Sequence, residues 1–385
     1  MVMTAFAKRL LLLLLALVLP ATPLIAASEA TGGTAGRWIV DRSNDGDTVI
    51  SVLIYYDMEG LSGQSIITSI DFPRPEYFEA RELLTADVNA VIDGFFAGGA
   101  DSVMVVDAHG SFNPEPDILL DKMDSRAHML YRNAKFDPYV GLAETDHYDA
   151  VAAVGMHSRT GGGGFAEHTV NVGAEWILNG MPLNESEILA YSWGRQGVPL
   201  ILVSGDDKLA EQCAWMDWMK FVTVKKAVAI DSVVLRPVDQ VHGEMRTAAK
   251  EAVQQLDRMK AVRLTEPVTA RLHEIPPGDL SILENVPGVD YSDQAVTFQA
   301  ANFKEAYAGM RALLDAAQYG YLNIAAGMFL GQGQDAFAQF KDAVLKSWIE
   351  TAKEAAVAAD TTAQQKREPP TATEPEKPQK FFGSK

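Results

Sequence analysis

Five short apolar runs, at 49–56, 102–106, 150–154, 199–203 and 222–230, alternate with stretches of helical periodicity at 76–98, 185–196, 207–220 and 243–262. Runs this short and, apart from Lys225 and Lys226 in the last, this apolar fit strands buried on both faces, and such strands need helices to cover them. The alternation therefore predicts an α/β fold, a largely parallel sheet flanked by helices. In such a sheet the carboxyl ends of the strands share one edge, where binding sites form. With 48% hydrophobic and 22% charged residues among 385, the chain has the apolar material for one large or two medium domains.

The pattern changes near residue 264. Strands at 268–273 and 295–299 are separated by Pro276-Pro277 and Pro287-Gly288, and a helix follows at 303–318. The expected division is an α/β domain at 48–262, a smaller C-terminal α+β domain at 263–320 and a helical extension at 321–359. The flanks differ in composition. Residues 28–47 are small, polar and Gly-rich, and read as a flexible segment, while 360–385 read as a disordered Pro-rich tail.

Residues 1–27 have the organisation of a signal peptide: Lys8-Arg9, an apolar core at 10–19, and the small residues Ala26-Ala27 at the exit. Pro20 and Pro23 interrupt the apolar run before the roughly 20 residues needed to span a bilayer. The expectation is a secreted or periplasmic protein with no stable membrane span after cleavage. Loss of Lys8 and Arg9, with no acid among those residues, takes the formal charge from −18 to −20. A chain this acidic is a poor partner for nucleic acid, though its carboxylates suit cations. Cys213 is the sole cysteine, so no intrachain disulfide can form and stability rests on packing.

Four places at or just after predicted strand ends carry groups that bind metals: Asp57-Met58-Glu59-Gly60, Asp107-Ala108-His109-Gly110, Gly155-Met156-His157, and the Gly-rich loop 161–164 leading to Glu167-His168. Carboxylates and neutral imidazoles together suit zinc, and a carboxylate can bridge two cations. Each piece alone has a plainer reading. Asp-x-Glu is often turn chemistry, a histidine at an apolar strand end is often a satisfied core residue, and no Gly-Lys-Ser/Thr follows the glycines to make a phosphate cradle. Their convergence on one edge is the argument for a site.

In this order the pieces resemble the D-aminopeptidase family of binuclear zinc metallopeptidases. The resemblance rests on Asp57-Met58-Glu59-Gly60-Leu61-Ser62-Gly63, Asp107-Ala108-His109-Gly110, Gly155-Met156-His157-Ser158-Arg159 with His168 eleven residues after His157, and Asn179-Gly180-Met181-Pro182-Leu183-Asn184-Glu185. It extends over roughly 48–318. It implies that Asp57, Glu59, His109, His157 and Glu185 are the ligands of two zinc ions, with Asp57 as the bridge and His168 as the catalytic histidine. Glu187 stands as a rival to Glu185, and Asp107 as either a turn cap or a residue orienting a ligand histidine. The activity implied is hydrolysis of short peptides with N-terminal D-amino acids by metal-activated water, in a homo-oligomer such as the family's decameric ring. The alternatives are a catalytically silent peptide-binding envelope protein and a two-metal hydrolase acting on amide or ester bonds of cell-wall fragments.

Overall fold

The structure, a computed structural model, describes residues 37–41, 49–111, 113–131, 137–275, 278–332 and 334–367. The signal segment 1–27 lies outside the described residues. The chain runs β1 (Arg37–Asp41), β2 (Ser51–Tyr56), α1 (Pro75–Gly98), β3 (Ser102–Asp107), β4 (His128–Leu130), α2 (Gly141–Thr145) and β5 (Ala150–Met156). It continues through β6 (Ala174–Leu178), β7 (Met181–Pro182), α3 (Glu185–Gly194), β8 (Leu200–Asp206), α4 (Asp207–Cys213), β9 (Lys220–Ala229) and β10 (Ser232–Leu235). The last elements are α5 (Val238–Gln254), β11 (Lys260–Leu264), β12 (Val268–Glu274), β13 (Asp290–Ser292), β14 (Ala295–Ala300), α6 (Phe303–Gln332) and α7 (Gln334–Arg367).

The main sheet has the order β10-β9-β8-β5-β2-β3-β4 and is parallel except for the edge pair β9–β10. This is the expected α/β class. The β2 strand shows why both faces must be covered. Val52, Ile54 and Tyr56 enter one core with Leu84, Val88 and Phe95 of α1 and Val241 and Met245 of α5. Leu53 and Tyr55 enter the other, with Leu189 and Trp193 of α3. Successive side chains point to opposite faces, so an uninterrupted apolar strand is the signature of a sheet sandwiched between layers.

The second sheet, β13-β14-β12-β6-β7, is antiparallel and differs from the expected C-terminal domain. It takes β6 and β7 from residues ahead of 262, and β12 pairs with β6 from Ala270↔Leu178 to Glu274↔Ala174. Trp176, Leu178, Val268 and Leu272 share a core with Leu53 and Trp193 of the main layer. The division at 262/263 is therefore not followed. Strand pairing is non-local, and the alternation that buries Ala174, Trp176 and Leu178 gave no indication of which distant strand they would meet.

Other boundaries also move. The helix expected at 243–262 ends at Gln254 and gives way to β11, whose Ala261, Val262 and Leu264 are buried. The helix expected at 207–220 stops at Cys213. Within the segment expected to be flexible, β1 pairs antiparallel with β11, and α7 carries helix to Arg367, inside the segment expected to be a disordered tail.

Two glycines let the β2 loop lie directly on the end of β5. Asp57 N–H donates to Val154 O at 2.8 Å and Gly60 N–H to Gly155 O at 2.7 Å. A Cβ at Gly60 would collide with Met156 O, and one at Gly155, whose φ is +78°, would collide with Asp57 O. Gly155→Ala combines overpacking, costing about 1–3 kcal/mol, with a left-handed backbone that costs a non-glycine residue about 1–2 kcal/mol. The expected outcome in urea titration is a loss of at least about 2 kcal/mol in unfolding free energy. A wild-type midpoint and slope would refute this close approach.

Candidate metal centre

The topology places β2 between β3 and β5, so the loop after β2 stands between the ends of its two neighbours. Chain order reverses here, with β3 and β4 on one side of β2 and β5, β8 and β9 on the other, and this is where α/β sheets open a crevice. Asp57 follows β2, His109 lies two residues beyond β3, and His157 immediately follows β5. Glu185 is the first residue of α3.

Asp57 reaches both ways. Its Oδ1 is 2.9 Å from His109 Nδ1 and its Oδ2 is 3.5 Å from His157 Nε2. Glu59 Oε2 is 3.3 Å from His109 Nδ1, and Glu185 Oε1 is 3.5 Å from His157 Nε2. Asp57, Glu59 and His109 thus form one potential metal-holding group and Asp57, His157 and Glu185 another, with Asp57 common to both. All five side chains are buried.

The outward nitrogens determine what the inward ones can do. His157 Nδ1–H donates to Ser158 O at 3.0 Å, and His109 Nε2–H donates to Ile70 O at 2.8 Å. Carbonyl oxygens only accept, so each ring turns its other nitrogen toward carboxylates that also only accept. Such contacts are tolerable with a proton held between ring and carboxyl or with a cation between the groups. His157 Nε2 has no hydrogen-bond partner although it faces two carboxylates. Neutral imidazole and carboxylate donors around shared space fit a borderline divalent ion such as zinc.

The electrostatics of the metal-free form agree. Burial works against charge on His109 and His157, but Glu59 and Asp57 beside the first, and Glu185 and Asp57 beside the second, raise both well above the usual imidazole range. Burial likewise works against charge on Asp57 and Glu185. The His109 and His157 rings close beside Asp57 hold it well below the usual carboxylate range, and His157 lowers Glu185. Burial, with the charge of Asp57 adjacent, pushes Glu59 up to about 7.

His168 borders this set, and with Glu59 and His157 it forms a third group whose ligand atoms lie within 4.8 Å of one another. Its Nδ1–H donates to Ala166 O at 2.9 Å, its ring stacks on His157 at 4.0 Å and 12°, and its Nε2 is 3.9 Å from Glu185 Oε1. Burial and the neighbouring His157 bring it down to about 4, so it is neutral near pH 7. The loop is strained on both sides, with φ of 50° at Ala166 and 62° at Val170. A β-branched residue rarely adopts that conformation; at Val170 it aims the N–H at Glu185 Oε1, 2.7 Å away.

The structure separates Glu185 from Glu187. Asn184 caps α3 by accepting from Glu187 N at 2.9 Å, Glu187 Oε2 accepts from Asn184 N at 3.2 Å, and Glu187 Oε1 accepts from Trp215 Nε1 at 2.8 Å. Glu187 therefore completes a capping box, and Glu185 faces the histidines. The Asn-x-x-Glu spacing is a known capping pattern and could have told them apart in the sequence. Asp107 Oδ1 accepts from His109 N at 2.9 Å, a turn-capping role.

Two neighbours had no sequence signal. Tyr139 O–H donates to Glu185 Oε2. Lys225, fully buried in β9, donates to Glu59 O at 2.7 Å and Gln64 Oε1 at 2.8 Å and lies 4.2 Å from the Phe165 ring centroid.

A buried cluster of two imidazoles and three carboxylates on the carboxyl edge of a parallel sheet is the arrangement of a metal-dependent hydrolase. The family model described as D-aminopeptidase matches residues 50–312, and the chain belongs to that family. It is 24% identical over 266 residues to the D-aminopeptidase of Bacillus subtilis (strain 168), covering 68% of this chain and 95% of the relative. Its fold is similar to that of the Zn-dependent D-aminopeptidase DppA from Bacillus subtilis, described as a self-compartmentalizing protease. That match has a TM-score of 0.63 at 22% identity and covers 70% of this chain and 98% of the other.

Cation loading must displace protons from the inward nitrogens of His109 and His157, which the neighbouring carboxylates favour in the metal-free form. The expected outcome is release of on the order of two protons per chain near pH 7, with metal affinity falling as pH falls. Calorimetric zinc titration in buffers of different ionisation enthalpy measures this. Affinity independent of pH between about 5.5 and 8 would contradict the assignment.

Proposed function

We propose that the protein is an exported zinc-dependent aminopeptidase that hydrolyses short peptides with N-terminal D-amino acids. The observation that carries this reading is Asp57, whose two oxygens face two histidines on opposite sides. In this reading Asp57, Glu59 and His109 would hold one zinc ion and Asp57, His157 and Glu185 a second, with Asp57 common to both groups. Bound zinc supplies a Lewis acid that polarises a carbonyl and makes water more acidic at neutral pH. The Zn-dependence of DppA and the D-aminopeptidase names of both relatives support the metal and the substrate class.

His168 moves the proton. Its Nδ1–H is committed to Ala166 O and its Nε2 carries a lone pair, so Nε2 takes a proton from the attacking water and delivers it to the leaving amine. The ring is neutral near pH 7, so this lone pair is free to accept. Export rests on the features of 1–27, and among the described residues no helix is long and apolar enough to cross a membrane. Assembly into a homo-oligomer is supported by the description of DppA as self-compartmentalizing.

Purified mature protein is expected to carry about two zinc ions per chain by elemental analysis. In a panel of phosphoesters, N-acyl amides and D- and L-peptides, it should turn over short D-peptides such as D-Ala-D-Ala. His168→Ala is expected to keep its metal and lose about a hundred- to ten-thousandfold in kcat. Asp57→Ala is expected to lose metal and activity together. Full activity of His168→Ala, or preference for another substrate class, would refute the reading.

A further inference from the structure

The helix α7 lies wholly beyond the family match, which ends at residue 312, yet it packs against the walls of the metal centre. Trp348 is buried, and its ring meets the His168 ring edge to face at 5.7 Å. It joins a small apolar cluster with Ile67, Phe165, Ala166 and Ile230, against which Leu345, Ile349 and Ala352 also pack. Polar contacts hold the helix on two sides. On one, Lys341 pairs with Asp71 and donates to Phe72 O at 2.7 Å, and Asp342 pairs with Arg74. On the other, Lys353 pairs with Asp231 at 2.6 Å.

These attachments fall beside the groups that orient the site histidines. Asp71 follows Ile70, whose carbonyl receives His109 Nε2–H. Asp231 follows Ile230, whose carbonyl receives Ala166 N–H at 2.8 Å, and Ala166 O in turn receives His168 Nδ1–H. His168 keeps 17% of its side chain exposed, so it is the open side of the cluster that Trp348 partly covers.

We propose that α7 is a lid carried by the same chain, and that Trp348, seated over His168, sets the upper length of peptide the site accepts. This rests on the peptidase reading above, in which His168 serves the leaving amine. A longer leaving segment continues from that amine and meets the Trp348 ring, whereas a single residue does not extend so far. The lid limits access from within one chain, whatever the assembly of copies adds.

The test uses zinc-loaded, full-length mature protein, with Trp348→Ala and the double variant Lys341→Ala/Lys353→Ala. The first readout needs no turnover: diethyl pyrocarbonate labelling of His168, mapped by mass spectrometry and normalised to the exposed His128. Both variants are expected to raise the His168 rate by about tenfold. The second is the ratio of kcat/KM for a pentapeptide to that for a dipeptide with the same N-terminal D-residue, which is expected to rise by about tenfold. Unchanged labelling in both variants overturns the lid, and raised labelling with an unchanged ratio overturns the length limit. Raised labelling with no D-peptide turnover in any form supports the lid and refutes the peptidase reading instead.

Discussion

The two-sided engagement of Asp57 fixes much of the surrounding structure. A carboxylate can face His109 and His157 together only if its strand lies between theirs, if all three run parallel, and if they end at nearly the same level. The central position of β2 meets the first condition. The third requires the β2 loop to turn at once and lie on β5, which is why Gly60 and Gly155 meet backbone to backbone. The metal centre and the sheet order are therefore one constraint, and the apolar burial on both faces of β2 holds the site at its height.

Concentrating three carboxylates in a buried space is costly unless positive charge accompanies them. Four features supply it or mitigate the cost. His109 and His157 can hold protons in the metal-free form. The first turn of α3 places Glu185 where the helix N-terminus favours an anion, and Val170 N–H and Tyr139 O–H both donate to the same carboxylate. Lys225 holds the backbone of Glu59 from below, and burial brings its own pKa down to about 7. The set remains short of fixed positive charge, so a divalent ion has more to contribute here than in a site already neutralised by arginines.

The parallel sheet and its functional edge were legible because buried strands write themselves as uninterrupted apolar runs, and because Asp57, His109 and His157 stand so close to the ends of theirs. The partition at 262/263 was not legible. The alternation of Ala174, Trp176 and Leu178 reveals a half-buried strand, but the partner β12 is some ninety residues away in the chain, and no local pattern encodes that pairing. Chemistry carried by residues without a special spacing was equally hidden. Tyr139 lies in an irregular segment, and Lys225 follows the buried Val224 in a strand where alternation would turn it to a less buried face. Glu187 was resolvable by capping geometry alone, since only one of the two glutamates can occupy the third helical position after Asn184.

Closure over His168 depends on apolar contact more than on the ion pairs at the ends of α7. Of these, Arg74–Asp342 and Lys353–Asp231 each include a side chain at least half exposed, and exposed pairs are typically worth about 0–1 kcal/mol. Lys341 and Asp71 are more enclosed, which also raises the cost of desolvating them. An aromatic side chain removed from water is worth roughly 1.5–3 kcal/mol, and Trp348 has Leu345 and Ile349 packing beside it. The pairs fix where the helix lies along the cleft, while Trp348 and its neighbours fix how tightly it stays there. Because the same ring both stabilises closure and faces His168, anything that displaces it must oppose that burial, and a small peptide that leaves it in place need not.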